Sequence, residues 1–381
     1  MPRKVKKQNQ VVGFNFDEPV NPYGDRLFLM AVIGLLAWGL LMVFSSSFVM
    51  AFETYRDPYF FLRQHLLRLG IGVLLLIFAF KIDYRRFQFF SLIALFIGLA
   101  VLVIVLFNGA SVHRWLTIGG IRFQPSEFAR IALILYLANW CARNASRLKE
   151  SFTGFLIPLS WVITFTALVM VEPSYSAGLM LLISGLIILI LAGAKWWHLV
   201  VAGLPVIPAG ALLAIAQPYR VKRLLSFMDP HADPLGSNYQ AIQSEIAVGS
   251  GQLWGIGFGM SGQKSDFLPE AHCDFIFSIL CEERGFIGAA IVILLFILFS
   301  WRGIRIAMRA PDQFGFLLAG GLTVSVTLFA FVNIAVTVGL LPVTGLPLPF
   351  ISYGGSALVA NLIACGLILN VSRFAIPPGR R

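Results

Sequence analysis

Residues 27–51 read LFLMAVIGLLAWGLLMVFSSSFVMA, a run without one charged side chain, and its reading decides the fold. A helix that crosses a bilayer needs about 20 apolar residues at about 1.5 Å each. The run meets that length and exceeds the roughly 7–15 apolar residues of a cleavable leader, so it is expected to persist as a helix. Residues 1–26 ahead of it are polar and basic and lack a signal-peptide pattern. The same apolar window recurs at 66–80, 88–107, 127–142, 153–171, 175–194, 197–216, 275–299, 314–338 and 354–370. Composition agrees, with 58% hydrophobic and only 12% charged residues and a mean hydropathy of +0.83. A water-soluble globule of this length needs far more polar surface. The 34 Phe and 8 Trp suit lipid-facing walls and interfacial belts. The expectation is an all-α polytopic membrane protein of about ten transmembrane helices. A basic N-terminal tail (1–26) precedes one membrane domain (27–371), and a short tail (372–381) follows it.

Charge sets the orientation and excludes a function class. The formal net charge is +11, yet the basic residues sit in small groups between apolar runs. That is the positive-inside pattern, not a nucleic-acid surface. With both termini cytoplasmic, 18 of the 29 Lys and Arg fall on inner segments. Arg220, Lys222 and Arg223 break the trend, clustering just after the seventh span on the outer side. Charges that oppose insertion point to function. They open the longest outer segment, 217–272, which carries Phe227, Tyr239, Leu253, Trp254 and Phe258 and a glycine series from Gly249 to Gly259. Such a loop has enough apolar groups to pack on the membrane face, and its glycines permit close backbone approach. The basic tail (Arg3, Lys4, Lys6, Lys7) suits anionic lipid or a cytoplasmic partner. Cys141, Cys273, Cys281 and Cys365 form no metal or disulfide pattern.

Acidic residues are scarce, so those beside the spans are informative. Pro269-Glu270-Ala-His272-Cys-Asp274 precedes the eighth span, with Pro269 at an expected helix start and Glu270 in its first turn. Glu270 and Asp274, four apart, would then share one helical face. Two readings compete: the carboxylates complement the helix dipole, or a partly desolvated Asp274 beside the basic loop works as a general base. Glu282, Glu283 and Arg284 lie two turns deeper, where an interhelical ion pair is the first reading. Arg114 and the stretch Gln124-Pro-Ser126-Glu127-Phe-Ala-Arg130 bracket the start of the fourth span. Ser126 is a candidate N-cap. Glu127 and Arg130, three apart, either pair with each other or face a polar cavity. The segment 339–356, GLLPVTGLPLPFISYGGS, holds too much Pro and Gly for a continuous helix. Irregular backbone at membrane depth survives only when buried in protein or lining a wet cavity, so it is expected to floor a site. Asp229, His231 and Asp233 alternate, but Pro230 and Pro234 favour a turn over a metal site. His65 and His198 border apolar spans and read as interfacial.

Together these segments resemble the SEDS family (shape, elongation, division and sporulation). The resemblance rests on PYRVKRLLSFMDPHADP at 218–234, GSNYQ at 236–240, LPEAHCDFIF at 268–277, QPSE at 124–127, and LPVTG with PFISYGG between 341 and 355. LPEAH and RAPDQFG (309–315) look more like the division member, FtsW, than the elongation member, RodA. Cys273 departs from the Thr usual in the family, Arg130 from the usual Lys, and Arg284 from a common apolar residue.

The resemblance implies a ten-helix peptidoglycan glycosyltransferase that polymerises lipid II on the outer face of the bacterial cytoplasmic membrane, at the division septum. It also implies Asp274 as the catalytic carboxylate. Arg114, Glu127, Arg130, Arg220, Lys222, Arg223, Glu270, His272 and Ser352 are the candidate substrate contacts. No cofactor or protein-bound metal is required, although a divalent cation such as Mg or Mn is compatible. The implied partners are lipid II, the undecaprenyl-pyrophosphate-linked glycan, a class B penicillin-binding protein, other division-complex proteins and membrane lipid, with no nucleic acid. The rival readings are a lipid II flippase, an elongation polymerase and an inactive scaffold. A flippase needs polar groups through the midplane, whereas here they gather on the outer side.

Overall fold

The computed structural model describes residues 21–107, 114–118, 121–172, 174–215, 218–229, 236 and 238–376. Each apolar window coincides with a helix: α1 (Arg26–Tyr55), α2 (Phe60–Lys81), α3 (Phe87–Phe107), α4 (Pro125–Arg143), α6 (Phe152–Val171), α7 (Tyr175–Leu191), α8 (Trp196–Ile215), α12 (Ile276–Met308), α13 (Gln313–Thr337) and α14 (Gly355–Arg373). A short α5 (Ala145–Glu150) joins α4 to α6, and the long loop between α8 and α12 holds α9 (Pro218–Met228), α10 (Tyr239–Ser250) and α11 (Gln263–Asp266). Among the described residues, seven helices are long and apolar enough to cross a membrane: α1, the helical stretch ending in α3, α2, α6, α12, α13 and α14. A two-stranded antiparallel hairpin, β1 (Leu116–Ile118) and β2 (Ile121–Phe123), leads into α4.

The bundle packs α14 on α2, α12 on α13 and α1, and α3 on α4. Small residues set the closest approaches, as they do between helices in lipid. A side chain at Gly72 would meet Leu362, and one at Gly366 would come within 2.6 Å of the Leu76 carbonyl. Both termini of the described chain meet at one end, where the Asn21 amide donates to the Arg373 carbonyl at 2.8 Å.

The departures from plain helix are buried in protein. The segment between α13 and α14 is non-helical, as its Pro and Gly content requires, and Leu346, Leu348, Phe350 and Ile351 are all buried. It enters the bundle beside α1, where a Cβ on Gly39 would lie 2.2 Å from the Phe350 carbonyl oxygen. Phe350 itself takes a left-handed φ of 66°.

Three sequence expectations are corrected here. Residues 269–275 form turns, with Glu270 left-handed at φ 57°, and α12 begins only at Ile276. Glu270 and Asp274 therefore do not share a helical face. Gln124, not Ser126, is the N-cap of α4; Pro125 takes the first helical position and Ser126 is buried inside the helix. The eighth span is interrupted at Gly285 (φ 64°, ψ −164°). Loop backbone from 252–257 lies against this break. The amides of Ile256 and Gly257 donate to the carbonyls of Glu282 and Glu283 at 2.9 and 3.2 Å. Phe286 and Ile287 donate back to the carbonyls of Gln252 and Leu253 at 2.8 and 3.2 Å. Loop backbone thus replaces the helical partners that the break removes. Only glycine fits where the strands touch, since a Cβ on Gly251 would sit 1.9 Å from the Cys281 oxygen.

Candidate active site

Asp274 lies just ahead of the first turn of α12, fixed through its backbone and not its carboxylate. Its amide donates to the Glu270 carbonyl at 3.1 Å. Its carbonyl accepts from Asn333 Nδ2 of α13 at 2.8 Å, and the same nitrogen reaches the Leu346 carbonyl at 2.7 Å. One amide side chain therefore ties the Asp274 turn to the broken segment. The neighbouring residues are stitched to that segment too. Ser352 Oγ donates to the Cys273 carbonyl at 2.5 Å and accepts from the Leu348 amide at 2.8 Å. The Cys273 thiol donates to the Tyr353 carbonyl at 3.3 Å, and the Tyr353 amide donates to the His272 carbonyl at 2.9 Å. Ser352, a candidate substrate contact, is buried and engaged in shaping the 272–274 backbone.

The carboxylate is left available. Among the described residues no hydrogen bond reaches it, and α12 is capped at Phe275 without any side-chain bond, so Asp274 does not serve as a helix cap. Its Oδ2 rests against Gly345 (φ +70°), where a Cβ would stand 3.6 Å away. Burial foremost, and then the Glu270 charge, push the Asp274 carboxyl up to about 6, while Arg114 and Arg223 pull it down. A carboxylate in that range can exchange a proton near neutral pH. Burial also lowers His272, partly offset by Glu270; its ring packs between Phe61 and Tyr353 at 5.1 and 5.6 Å.

Of the cations on α9, Arg223 reaches the site. Arg223 Nη1 donates to the Val343 carbonyl at 2.9 Å, which lays its guanidinium over the broken segment beside Asp274. Arg114, just ahead of β1, carries a buried Nε without a hydrogen bond among the described residues. Lys222 is exposed on α9; Arg220 lies on the same helix, with its side chain outside the described residues.

Other predicted residues are placed elsewhere. Glu127 and Arg130 form a buried pair at 3.1 Å. Arg130 also donates to Ser325 Oγ at 2.8 Å and Asn361 Oδ1 at 2.9 Å, and stacks on Phe329 at 4.6 Å. The pair is buried against α13 and α14, which favours the first of its two readings. Glu283 finds its cation in Lys264 of α11 at 2.8 Å, with Ser45 of α1 at 2.6 Å, and not in Arg284. Glu282 accepts from Ser261 and from the Gly262 amide. Arg284 is exposed and lies over Phe258. The ion pair thus latches the outer loop to α12 and α1. His198, in the first turn of α8, packs against Phe152, Phe155 and Trp197.

Sequence reasoning missed Arg68 and Gln64 of α2. The Tyr353 hydroxyl donates to Gln64 Oε1 at 2.7 Å, Arg68 donates to the same oxygen at 3.2 Å, and the guanidinium lies 5.0 Å from the Tyr353 ring centre. Its positive charge acts on Cys273 and Tyr353. The available signal was an Arg four residues after a Gln inside an apolar window. Ligating atoms of Glu270, His272 and Cys273 lie within 4.8 Å of one another. One carboxylate, one imidazole and one thiol make a poor match for Mg, which takes oxygen ligands. Asp229 is exposed; His231 and Asp233 fall outside the described residues.

The cell cycle protein family model that groups FtsW, RodA and SpoVE matches residues 25–376. Stage V sporulation protein E of Bacillus subtilis (strain 168) is 40% identical, over 92% of this chain and 97% of that protein. A protein of Geobacter sp. (strain M18) named probable peptidoglycan glycosyltransferase FtsW is 38% identical, over 91% of this chain and 96% of its own. Among solved structures, a chain from a peptidoglycan synthase complex that coordinates polymerization and crosslinking superposes with a TM-score of 0.75 at 28% identity, covering 92% of this chain and 98% of that one. The rod shape determining protein RodA of Thermus thermophilus follows at 0.69 and 27%, covering 92% and 97%. The matches run through the Asp274 turn, the broken segment and the helices that hold them, and the chain belongs to the FtsW, RodA and SpoVE family of cell cycle proteins.

Proposed function

We propose that this protein is a peptidoglycan glycosyltransferase that polymerises lipid II, with Asp274 as its general base. The observation that carries the chemistry is a half-buried carboxylate, without a hydrogen bond among the described residues, facing two arginines at the edge of the bundle. The relatives named peptidoglycan glycosyltransferase FtsW support the reaction class and a septal role. In the reaction, Asp274 takes the proton of the acceptor N-acetylglucosamine 4-hydroxyl as its oxygen attacks the anomeric carbon of the donor glycan. The bond from that carbon to the undecaprenyl pyrophosphate breaks, and the pyrophosphate leaves with the electron pair. Arg223 and Arg114, with Lys222 and Arg220 of α9, oppose the charge that develops on it. Glu270 and His272 line the same edge and are assigned to the sugar. A Mg or Mn ion, where one takes part, would arrive with the pyrophosphate and not on the Glu270 trio.

The proposed topology adds α4, α7 and α8 to the seven longer apolar spans, giving ten, with both termini cytoplasmic and Asp274 outside. The positive-inside count supports this orientation. A class B penicillin-binding protein is the proposed partner, supported by the similarity to a chain of a peptidoglycan synthase complex. The decisive experiment is Asp274→Asn, incubated with purified lipid II. Because the turn is held by backbone atoms, the variant is expected to fold with an unchanged melting profile and to make no polymer. Polymer at the wild-type rate would overturn the assignment, and translocation without polymerisation in the wild type would favour the flippase.

A further inference from the structure

At the far end of α12 from Asp274, a cavity of about 290 Å³ opens between the starts and ends of three helices. Arg302, Arg305 and Arg309 line it from α12 and its C-cap, Asp25 from the N-cap of α1, and Ser372 from α14. Asp25 is already spent. It accepts from Arg302 through both carboxylate oxygens and caps α1 through the Phe28 amide at 2.9 Å. Arg305 and Arg309 are one helical turn apart and share a face. Among the described residues neither makes an ion pair or a side-chain hydrogen bond; Arg305 only lies over the Trp301 ring at 4.9 Å. Cations at a helix C-terminus complement the dipole, and inner-face arginines orient the chain. Those effects explain the charges but not their gathering around a walled cavity with a surplus of positive charge.

We propose that this cavity binds the phosphate of an anionic phospholipid. The choice of lipid over a soluble phosphate rests on what adjoins the cavity. Leu294, Ile297, Trp301, Ile304 and Met308 are all exposed on α12, at alternating intervals of three and four residues. Such spacing makes a single stripe along the helix. The stripe runs from the cavity mouth into the apolar zone, so a headgroup held by Arg305 and Arg309 sends its acyl chains down it. Basic pockets between helices on the cytoplasmic side are suited to such headgroups. Under the orientation proposed above, the lipid belongs to the inner leaflet. The inference uses that orientation only to name the leaflet and does not depend on Asp274.

The test uses the full chain in nanodiscs of phosphatidylcholine carrying a minor fraction of phosphatidylglycerol. Native mass spectrometry counts the phosphatidylglycerol retained as detergent strips the disc. Wild type is expected to keep it selectively, and Arg305→Gln/Arg309→Gln to lose about 30-fold in apparent affinity, the change expected from two interfacial cations. Arg305→Lys/Arg309→Lys should restore most of the retention. Trp301→Ala, which leaves every cation in place, should weaken it in proportion to the lost chain contact, and this variant keeps the test decisive should the charge-neutral pair misfold. In pure phosphatidylcholine, inorganic phosphate should raise the melting temperature of wild type no more than that of the double variant. Equal retention of phosphatidylglycerol by wild type and both neutralising and Trp301 variants would overturn the proposal, and so would stabilisation by inorganic phosphate alone.

Discussion

The acidity of Asp274 gives a prediction with a sign and a size. A general base works only when ionised, so polymerisation should rise with pH through the value of about 6 set by burial and Glu270. At pH 5 roughly one-tenth of Asp274 is then ionised, and at pH 7 roughly nine-tenths. A carboxyl at its ordinary acidity would be more than nine-tenths ionised at both pH values. The wild-type rate should therefore fall about tenfold between pH 7 and pH 5. Two substitutions then move the acid limb in opposite directions. Glu270→Gln removes the charge that raises Asp274 while leaving its burial intact, so the limb should shift to lower pH. Each half-unit of that shift would raise the pH 5 rate, relative to the plateau, by about two- to threefold. Arg223→Gln removes a charge that lowers Asp274, so its limb should shift to higher pH.

The assay is initial polymerisation rate from purified lipid II between pH 4.5 and 8, each variant scaled to its own plateau. Scaling removes losses from substrate contacts made by Glu270 or Arg223. Comparison with wild type removes the ionisation of the pyrophosphate, which all three proteins share. A flat profile in wild type would refute Asp274 as a base with raised acidity. Shifts of the same sign in both variants would refute the electrostatic account.

The remaining predictions concern the frame around the site. Lys264 and Glu283 are 4% and 0% exposed, so Lys264→Met strands a buried carboxylate and should cost about 3–5 kcal/mol of stability; adding Glu283→Gln should recover most of it, as read by thermal melting in detergent. Gly255→Ala places a Cβ 2.3 Å from the Glu283 oxygen on a backbone with φ +82°, and should lower stability by about 2 kcal/mol or more while detaching the loop, which limited proteolysis would detect. Glu172, at the C-cap of α6, is buried, with one oxygen lacking a partner among the described residues, and burial pushes it up to about 8. An acid raised in the folded state destabilises it progressively as pH climbs from its unfolded value, near 4.5, to about 8. Glu172→Gln should thus raise the melting temperature at pH 8 and leave it unchanged at pH 4.

Much of this molecule is legible in its sequence because span length is a property of composition. The window 88–107 differs from α3 (Phe87–Phe107) by one residue at its start, and 314–338 from α13 (Gln313–Thr337) by one residue at each end. Asp274 and the broken segment were equally visible, one as a scarce acid beside misplaced cations, the other as Pro and Gly where helix was expected. What stayed hidden depends on contacts remote in the chain. Gly285 sits in an apolar run and reads as helix; only the backbone of Gln252, Leu253, Ile256 and Gly257 turns it into a break. Pro269 and Glu270 mimic a helix start, but Glu270 adopts φ 57° and delays the helix to Ile276. Arg68 acquires a role only through Tyr353, remote in the chain, whose ring lies beside its guanidinium.

These hidden features explain why a carboxylate can remain unpaired at a membrane boundary. A continuous helix satisfies its own amides and carbonyls and offers nothing to a substrate; a broken one must find partners elsewhere. Here each of three breaks finds its partners in other irregular backbone. The Gly285 break takes backbone from the outer loop, Asn333 joins the Asp274 turn to the segment before α14, and Ser352 and Tyr353 bond the backbone of 272 and 273. Every one of those bonds around Asp274 uses its main chain or a neighbour's. The side chain is therefore held in place without being consumed, with Glu270 and burial raising its basicity and Arg114 and Arg223 keeping it ionisable. A design that anchored Asp274 by its carboxylate would be more stable locally and would lose the proton acceptor. The polar stitching of irregular backbone is thus what converts a bundle of apolar helices into a site where proton transfer can occur at the edge of lipid.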